Sequence, residues 1–380
     1  MRLYFVGGFL GSGKTTAIAG ACRRLIAAGE RVGIVTNDQG KLQVDGLFLR
    51  AAGLPAVEVS GGCFCCRYDD FDEKLASLAE RERPDAVFAE SVGSCADIVA
   101  TVIKPFEAFR GSYGGPSAFS VFADSRLLLA RLSGRRLPFS EEVLYVFDRQ
   151  LEEAELLVLN KRDLLGEAEG AELRALAEKA WPGKARIEIS GSTEEGAAAW
   201  LAALDAPRAP GPLGRLELDY ERYGAGEAEL AWLDERLAIE DEGGLASDGS
   251  RCRSAVLAFA RSMARGLAEA GMAVGHLKLQ VSAPPAGAAP AFEAKLSLTA
   301  SDFLPGAPDP AAVLEARLGP FSARRVMVSL NARVQAAPEA LAALAAAAAE
   351  AARREAGVRL REEDRSAFSP DRPRPTHRPA

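Results

Sequence analysis

The 380-residue sequence predicts an α/β protein, a doubly wound and mostly parallel sheet covered by helices, followed by a second, smaller α+β domain. Three observations carry that prediction. Residues 1–205 alternate short apolar runs with helical patterns, the mark of a sheet with helices on both faces. Proline and glycine then concentrate in "LDAPRAPGPLGR" (204–215), and beyond this break the strands change to apolar/polar alternation.

In the first part, "LYFVGG" (3–8), "RVGIVTND" (31–38), "AVEVSGG" (56–62), "DAVFAES" (85–91), "SAFSVFAD" (117–124), "AELLVLN" (154–160) and "ARIEIS" (185–190) read as strands. Their uniform apolarity fits burial on both faces. "TTAIAGACRRLIAAGE", "DFDEKLASLAERE" and "GAELRALAEKAW" read as helices between them. Residues 206–215 read as a linker. In the second domain, 216–357, "AELAWLDERLAIE" (228–240), "GHLKLQVSA" (275–283), "AFEAKLSLT" (291–299) and "RRVMVSLNARVQ" (324–335) read as strands with one solvated face. Helices are expected over 251–271 and 337–357, giving a ferredoxin-like layer. The proline- and arginine-rich tail, 358–380, is expected to order poorly. No internal repeat is present.

Composition narrows the function. A hydrophobic share of 48% with 26% charged residues suits a globular protein with a full core. The net charge of −7 argues against a nucleic-acid partner, which calls for a basic face. No run reaches the length of a membrane span, and the N-terminus lacks the apolar core of a signal peptide. The expected location is therefore the cytoplasm, where thiols stay reduced.

"GGFLGSGKTT" places Gly8, Gly11, Ser12, Gly13, Lys14, Thr15 and Thr16 between a predicted strand and a predicted helix. Gly-x-x-x-x-Gly-Lys-Thr in that context is a phosphate-binding P-loop. The glycines let backbone N–H groups curl round phosphates, Lys14 meets the outer phosphates, and the Thr15 hydroxyl is a Mg2+ ligand. "LLVLNKRDLL" ends a strand with Asn160, Lys161 and Asp163, a pattern resembling the guanine-reading element of GTPases. An aspartate there accepts two N–H bonds that adenine cannot supply, so the wrong base leaves it unpaired. Ser190 and Gly191 in "ISGSTEEG" resemble the later loop that supports the base. In "VFAESVGS", Glu90 is the expected acidic contact to Mg2+ and Gly93 the backbone that senses the γ-phosphate.

"VSGGCFCCRYDD" (59–70) sets Cys63, Cys65 and Cys66 within four residues of a chain with only six cysteines. Thiolates are soft ligands suited to Zn2+. Cys-x-Cys-Cys is too tight for a closed four-cysteine site, so a further ligand must come from elsewhere, with Asp38, Asp70 and Glu73 as candidates. Such an open position suits a site that releases its ion. Cys22, Cys95 and Cys252 read as small buried residues, and His276 and His377 as solitary ones. The competing reading of the cluster is buried or redox-active thiols.

Together, "GGFLGSGKTT", "TNDQG", "GGCFCC", "ESVG" and "NKRD" resemble the CobW-type branch of the CobW, HypB and UreG group of P-loop GTPases, over residues 1 to about 205. The Gly-Cys-x-Cys-Cys hallmark falls on Gly62, Cys63, Cys65 and Cys66. The resemblance implies GTP and Mg2+ as cofactors and control by GTP of the handover of Zn2+ or Co2+ to a client metalloprotein. It also implies a smaller C-terminal domain. Ser94 follows Gly93 where Ras-like enzymes have a water-orienting glutamine, so slow intrinsic hydrolysis is expected, accelerated by a homodimer partner or client. A histidine-rich storage stretch is absent, which favours delivery over storage. Two alternatives stand beside this reading: a GTP-regulated activation factor for a cobalamin-dependent or other metalloenzyme without stable metal binding, and a redox-sensing GTPase.

Overall fold

The computed structural model describes residues 1–40, 42, 44–110, 117–206, 216–243, 249–285 and 291–378. They divide into two compact units: residues 1–39, 49–227 and 371–380, and residues 40–48 with 228–370. Most of the expected linker, 207–215, lies outside the described residues.

In chain order the first unit contains β1 (Arg2–Gly8), α1 (Lys14–Ala27), β2 (Val32–Asp38), the end of α2 (Val44–Ala51) and β3 (Ala56–Ser60). It continues with α3 (Tyr68–Glu82), β4 (Ala86–Glu90), a π-helical turn Val99–Ile103 and α4 (Lys104–Arg110). Next come β5 (Ser117–Asp124), α5 (Ser125–Leu132), α6 (Glu141–Glu153) and β6 (Leu156–Asn160). The last elements are α7 (Glu167–Ala180), β7 (Ala185–Glu188), α8 (Ala197–Asp205) and α9 (Tyr220–Glu229).

All seven strands are parallel, in the order β3-β2-β4-β1-β5-β6-β7. The central strands β4, β5 and β6 are buried throughout, whereas the edge strands β3 and β7 are only partly covered. The chain winds to one side of β1 and then to the other, so the order reverses there. Ligands of such sheets bind beyond the carboxyl ends of the strands at that reversal. Because every strand is parallel, Gly8, Asp38, Ser60, Glu90, Asp124 and Asn160 all finish at this same edge.

The second unit holds β8 (Leu230–Glu240), α10 (Ser250–Glu269), β9 (Ala273–Ala283), β10 (Phe292–Thr299), α11 (Pro310–Leu318), β11 (Arg325–Gln335), α12 (Pro338–Ala356) and β12 (Arg359–Phe368). Its antiparallel sheet runs β10-β9-β11-β8-β12. The succession βαββαβ is a split-βαβ layer extended by one helix and one strand. Apolar residues of α10, α12 and the sheet, among them Phe259, Met263, Leu341 and Leu330, form its core. In residues 40–48, Asp45 is paired with Lys278 at 2.5 Å and Lys295 at 3.0 Å.

Three differences from the sequence reading concern element ends. The strand expected from 228 begins at Leu230, because α9 continues to Glu229. Residues 359–368, expected within a poorly ordered tail, pair along β8 as β12. Residues 371–378 pack with the first unit, as described next. Among the described residues, no helix is long and apolar enough to cross a membrane.

Candidate nucleotide and thiol site

The phosphate loop joins β1 to α1. Gly8, Gly11 and Gly13 have φ of 125°, 72° and 88°, conformations that strain any L side chain. At Gly8 a Cβ would also meet the Phe122 carbonyl oxygen at 2.2 Å. Lys14 Nζ donates to Gly8 O at 2.7 Å and Phe9 O at 3.4 Å, drawing the amine into the loop. Thr15 Oγ1 donates to Glu90 Oε1 at 2.8 Å. The two expected Mg2+ contacts, from α1 and the end of β4, are therefore side by side. Thr16 lies half-buried on α1. Ser12 Oγ is buried without a hydrogen-bond partner among the described residues. A buried hydroxyl left so is rare and suits a loop that closes on phosphate oxygens.

The residues expected to read the base sit beyond β6 and β7. Asn160 Nδ2 donates to Ser12 O at 2.7 Å, and its Oδ1 accepts from Gly191 N at 2.9 Å. Asn160 thus ties the phosphate loop to the later loop. Lys161 adopts φ 61° and pairs with Asp124 at 2.7 Å. Asp163 is exposed, and its carboxylate accepts from Ser190 Oγ and, at 3.5 Å, from Ser192 Oγ. The carboxylate proposed for guanine is positioned by the very loop expected to support the base.

The loop after β4 carries Gly93 against the phosphate loop: a Cβ there would lie 3.0 Å from both Leu10 Cα and Leu10 N. Gln150 on α6 holds this loop from behind, donating to Gly93 O at 3.1 Å and Cys95 O at 2.8 Å. Further along, Ala96 N donates to the Tyr223 hydroxyl at 3.1 Å, and Asp97 Oδ2 accepts from Tyr220 and Arg378, each at 2.7 Å. Burial pushes the carboxyl of neighbouring Glu153 up to about 8 while it accepts from Val99 N at 2.6 Å.

The cysteine turn leaves β3 and enters α3. Phe64, between the first two cysteines, is 1% exposed and packs on Phe71 with ring centroids 4.6 Å apart, leaving the thiols to face one another. Cys63 Sγ lies 2.9 Å from Cys65 Sγ and 3.3 Å from Cys66 Sγ, and the latter two are 3.8 Å apart. Hydrogen bonding from Cys65, then Cys66 and Cys95, holds the Cys63 thiol well below its ordinary value. The same bonding raises Cys65 well above its own and Cys66 to about 11. Three sulfurs this close together form a donor set for a soft divalent cation.

The acidic ligands expected from sequence do not join this set. The three sulfurs lie within 4.8 Å of one another, a group that includes no Asp, Glu or His among the described residues. Asp38 is buried at the end of β2, Asp70 is engaged by Arg67 at 2.6 Å, and Glu73 is exposed on α3. Cys95 is buried in the loop after β4 and is not a member of that group. Cys22 and Cys252 are buried elsewhere, in α1 and in the second unit's core, where burial raises their thiols to about 12 and about 11. His276 is buried against Asn331 at 2.7 Å.

Sequence reasoning also missed two supports of the turn. Asn37, in "TNDQG", donates through Nδ2 to Gly62 O at 2.7 Å and Val59 O at 3.1 Å, and accepts from Phe64 N at 2.8 Å. The tail crosses the outer side. Arg374 N donates to Cys66 Sγ at 3.1 Å, Thr376 N to Cys65 O at 2.8 Å, and Thr376 Oγ1 to Cys66 O at 3.3 Å. His377 sits edge-on against Tyr68 and Phe109, with centroids 4.9 and 5.1 Å away.

Residues 2–188 match the family model described as CobW/HypB/UreG, nucleotide-binding domain. The chain is similar to a zinc chaperone CobW of a Sinorhizobium species, 32% identical over 187 residues, 42% of this chain and 50% of that protein. It is also similar to the zinc chaperone YeiR of Escherichia coli (strain K12), 30% identical over 172 residues, 43% of this chain and 47% of the relative. The chain thus spans about half the length of these curated relatives. Among solved structures, the hydrogenase maturation factor HypB from Archaeoglobus fulgidus aligns at a TM-score of 0.38 and 20% identity, over 54% of this chain and 88% of that one.

Proposed function

We propose, from the match of residues 2–188 to the CobW/HypB/UreG nucleotide-binding domain model, that this protein is a GTP-binding and GTP-hydrolysing metallochaperone. It takes Zn2+ or Co2+ onto Cys63, Cys65 and Cys66 and passes the ion to a client metalloprotein in the cytoplasm under nucleotide control. The observation that carries this reading is the thiol trio, within 4.8 Å of one another at the same sheet edge as the phosphate loop. Zinc is favoured over cobalt by the inherent affinity of such a site. The curated relatives named as zinc chaperones support the same choice.

The chemistry divides among the elements already placed. Gly8, Gly11, Ser12 and Gly13 cradle the phosphates with backbone N–H groups, and Lys14 neutralises their outer oxygens. Thr15 and Glu90, side by side, would hold Mg2+, whose charge would stabilise the phosphate oxygens. Asn160 joins the base loop to the phosphate loop, and Asp163, Ser190, Gly191 and Lys161 present the guanine pocket. Gly93 reports the γ-phosphate. Hydrolysis is slow in the isolated chain because Ser94 does not orient water as a glutamine would, so a second copy or the client supplies the missing charge.

Coupling between metal and nucleotide is reciprocal by linkage: the factor by which GTP changes metal affinity equals the factor by which metal changes GTP affinity. The test is competition for Zn2+ and Co2+ with a coloured chelator, in the Mg2+–GTP-analogue and Mg2+–GDP states. A Cys63→Ser, Cys65→Ser, Cys66→Ser variant runs in parallel. Zinc affinity in the variant is expected to fall more than about 100-fold, since loss even of an outer partner costs 10–100-fold. Equal metal affinity in the two nucleotide states would remove nucleotide control. Reversible thiol loss after mild peroxide, with no bound metal, would favour a redox role.

A further inference from the structure

Residues 371–378 bond to two places at once, the cysteine turn and the loop that follows β4. Resting on the metallochaperone reading above, we propose that this segment is a strap over the cargo ion, and that the loop after β4 sets how firmly it holds. The nucleotide thereby regulates the rate at which the metal leaves.

The sequence suits a strap. In "DRPRPTH" (371–377), Pro373 and Pro375 have a fixed φ and no N–H to give. Arg372 and Arg374, each before a proline, are biased to extended backbone. A segment already stiff loses little conformational freedom on docking. The N–H groups at Arg374 and Thr376, each directly after a proline, are given to the turn: Arg374 N to Cys66 Sγ at 3.1 Å and Thr376 N to Cys65 O at 2.8 Å. Thr376 Oγ1 adds a bond to Cys66 O at 3.3 Å, and His377 packs edge-on against Tyr68 and Phe109. Cys63 and Cys65 are buried, whereas Cys66 is half-buried. The strap therefore lies across the side by which an ion would reach solvent.

The far anchor is on the loop after β4. Arg378 Nε donates to Asp97 Oδ2 at 2.7 Å, with its guanidinium 4.9 Å from the centroid of the Tyr220 ring. The Asp97 side chain is 1% exposed, and Tyr220 donates to the same oxygen at 2.7 Å. A carboxylate this buried depends on its partners, so breaking the pair is costly. Asp97 also has φ 64°, a left-handed backbone uncommon outside glycine, so its position is set by the path of the loop. Upstream in that loop, Gly93 lies against Leu10 of the phosphate loop, and Gln150 holds Gly93 O and Cys95 O from behind. A displacement at Gly93 is carried along this short segment to Asp97. The other contacts of the strap stay on the turn that Asn37 fixes. A strap with one end on each cannot follow both.

The test uses the full chain loaded with Zn2+. Transfer of the ion to a coloured chelator is timed in the Mg2+–GTP-analogue and Mg2+–GDP states. The two wild-type rates should differ by at least about fivefold, the lower end of the usual coupling between sites. Arg378→Ala cuts the far anchor and leaves the phosphate loop and the thiols in place. In that variant the ratio should fall to within about twofold of one, because the coupling runs through the anchor. Asp97→Asn tolerates the left-handed backbone but loses the charge, and should act in the same way. Hydrogen exchange at the Arg374 and Thr376 amides should be slower in the nucleotide state that releases zinc more slowly. A nucleotide dependence as large in Arg378→Ala as in the wild type, or equal amide exchange in the two states, would overturn the strap and leave the metallochaperone reading intact. Equal wild-type rates would overturn it too. Absence of any cysteine-dependent zinc binding would overturn both readings. If Asp97→Asn does not fold, Arg378→Ala decides alone.

Discussion

The phosphate loop and the thiol site share one edge of the sheet, yet they are built by opposite means. The loop carries its geometry in consecutive residues: positive φ at Gly8, Gly11 and Gly13, a lysine folded inward, and a helix that starts at Lys14. Asn160 braces it from afar. The thiol trio is equally local, but its supports come from β2 through Asn37 and from the tail through Arg374 and Thr376. A contiguous motif is positioned by its own backbone, whereas a convergent one is positioned by sheet order. Lesions at the first should remove chemistry, and lesions around the second should loosen geometry.

The largest expected effect tests the first half of that contrast. Lys14→Ala should lower single-turnover GTP hydrolysis on the order of 10²–10³-fold, the loss typical of one preorganised electrostatic donor. Phosphate release under saturating Mg2+–GTP is the measurement. A fall below about tenfold would mean that the amine serves chiefly to tether Gly8 O and Phe9 O, and that the loop's chemistry lies in its backbone.

Asn37→Ala probes the second half. It deletes two donated bonds and one accepted bond, leaving Phe64 N, Val59 O and Gly62 O to find other partners. The expected cost is about 1–3 kcal/mol of stability, read by urea unfolding of the full chain, with zinc affinity weakened about tenfold. Unchanged zinc affinity would show that Phe64 packing alone sets the turn, making the thiol site as self-contained as the phosphate loop.

The same contrast explains what the sequence made legible. Glycine spacing, the lysine and the strand-to-helix context identify the phosphate loop because each encodes a backbone requirement at its own position. The central strands were legible because burial on both faces demands uninterrupted apolar runs. Cys63, Cys65 and Cys66 stood out by crowding. The hold of Asn37 on their turn did not, since it depends on β2 lying beside β3. β12 was hidden for another reason: "RLREEDRSAF" is dominated by charge, as befits an edge strand. What identifies it lies across the ladder, where Arg365 pairs with fully buried Glu235 and Phe368 stacks on Trp232 at 5.9 Å.

The smallest effect concerns the tail, the most distant contributor to the thiol site. Its backbone N–H groups at Arg374 and Thr376 bond to Cys66 Sγ and Cys65 O, and Arg378 anchors the far end on Asp97 at 2.7 Å. An N–H donor on Cys66 Sγ competes for the lone pairs that a metal would use, and the segment covers the half-buried side of the cluster. Deleting residues 371–380 should therefore quicken zinc transfer to a chelator by about tenfold, equivalent to about 1.4 kcal/mol and within reach of a few net hydrogen bonds. Arg378→Ala, which removes only the anchor, should give an intermediate rate. If both variants exchange zinc at the wild-type rate, the ion leaves by another face. The thiol site would then depend on sheet order alone, with the tail a bystander.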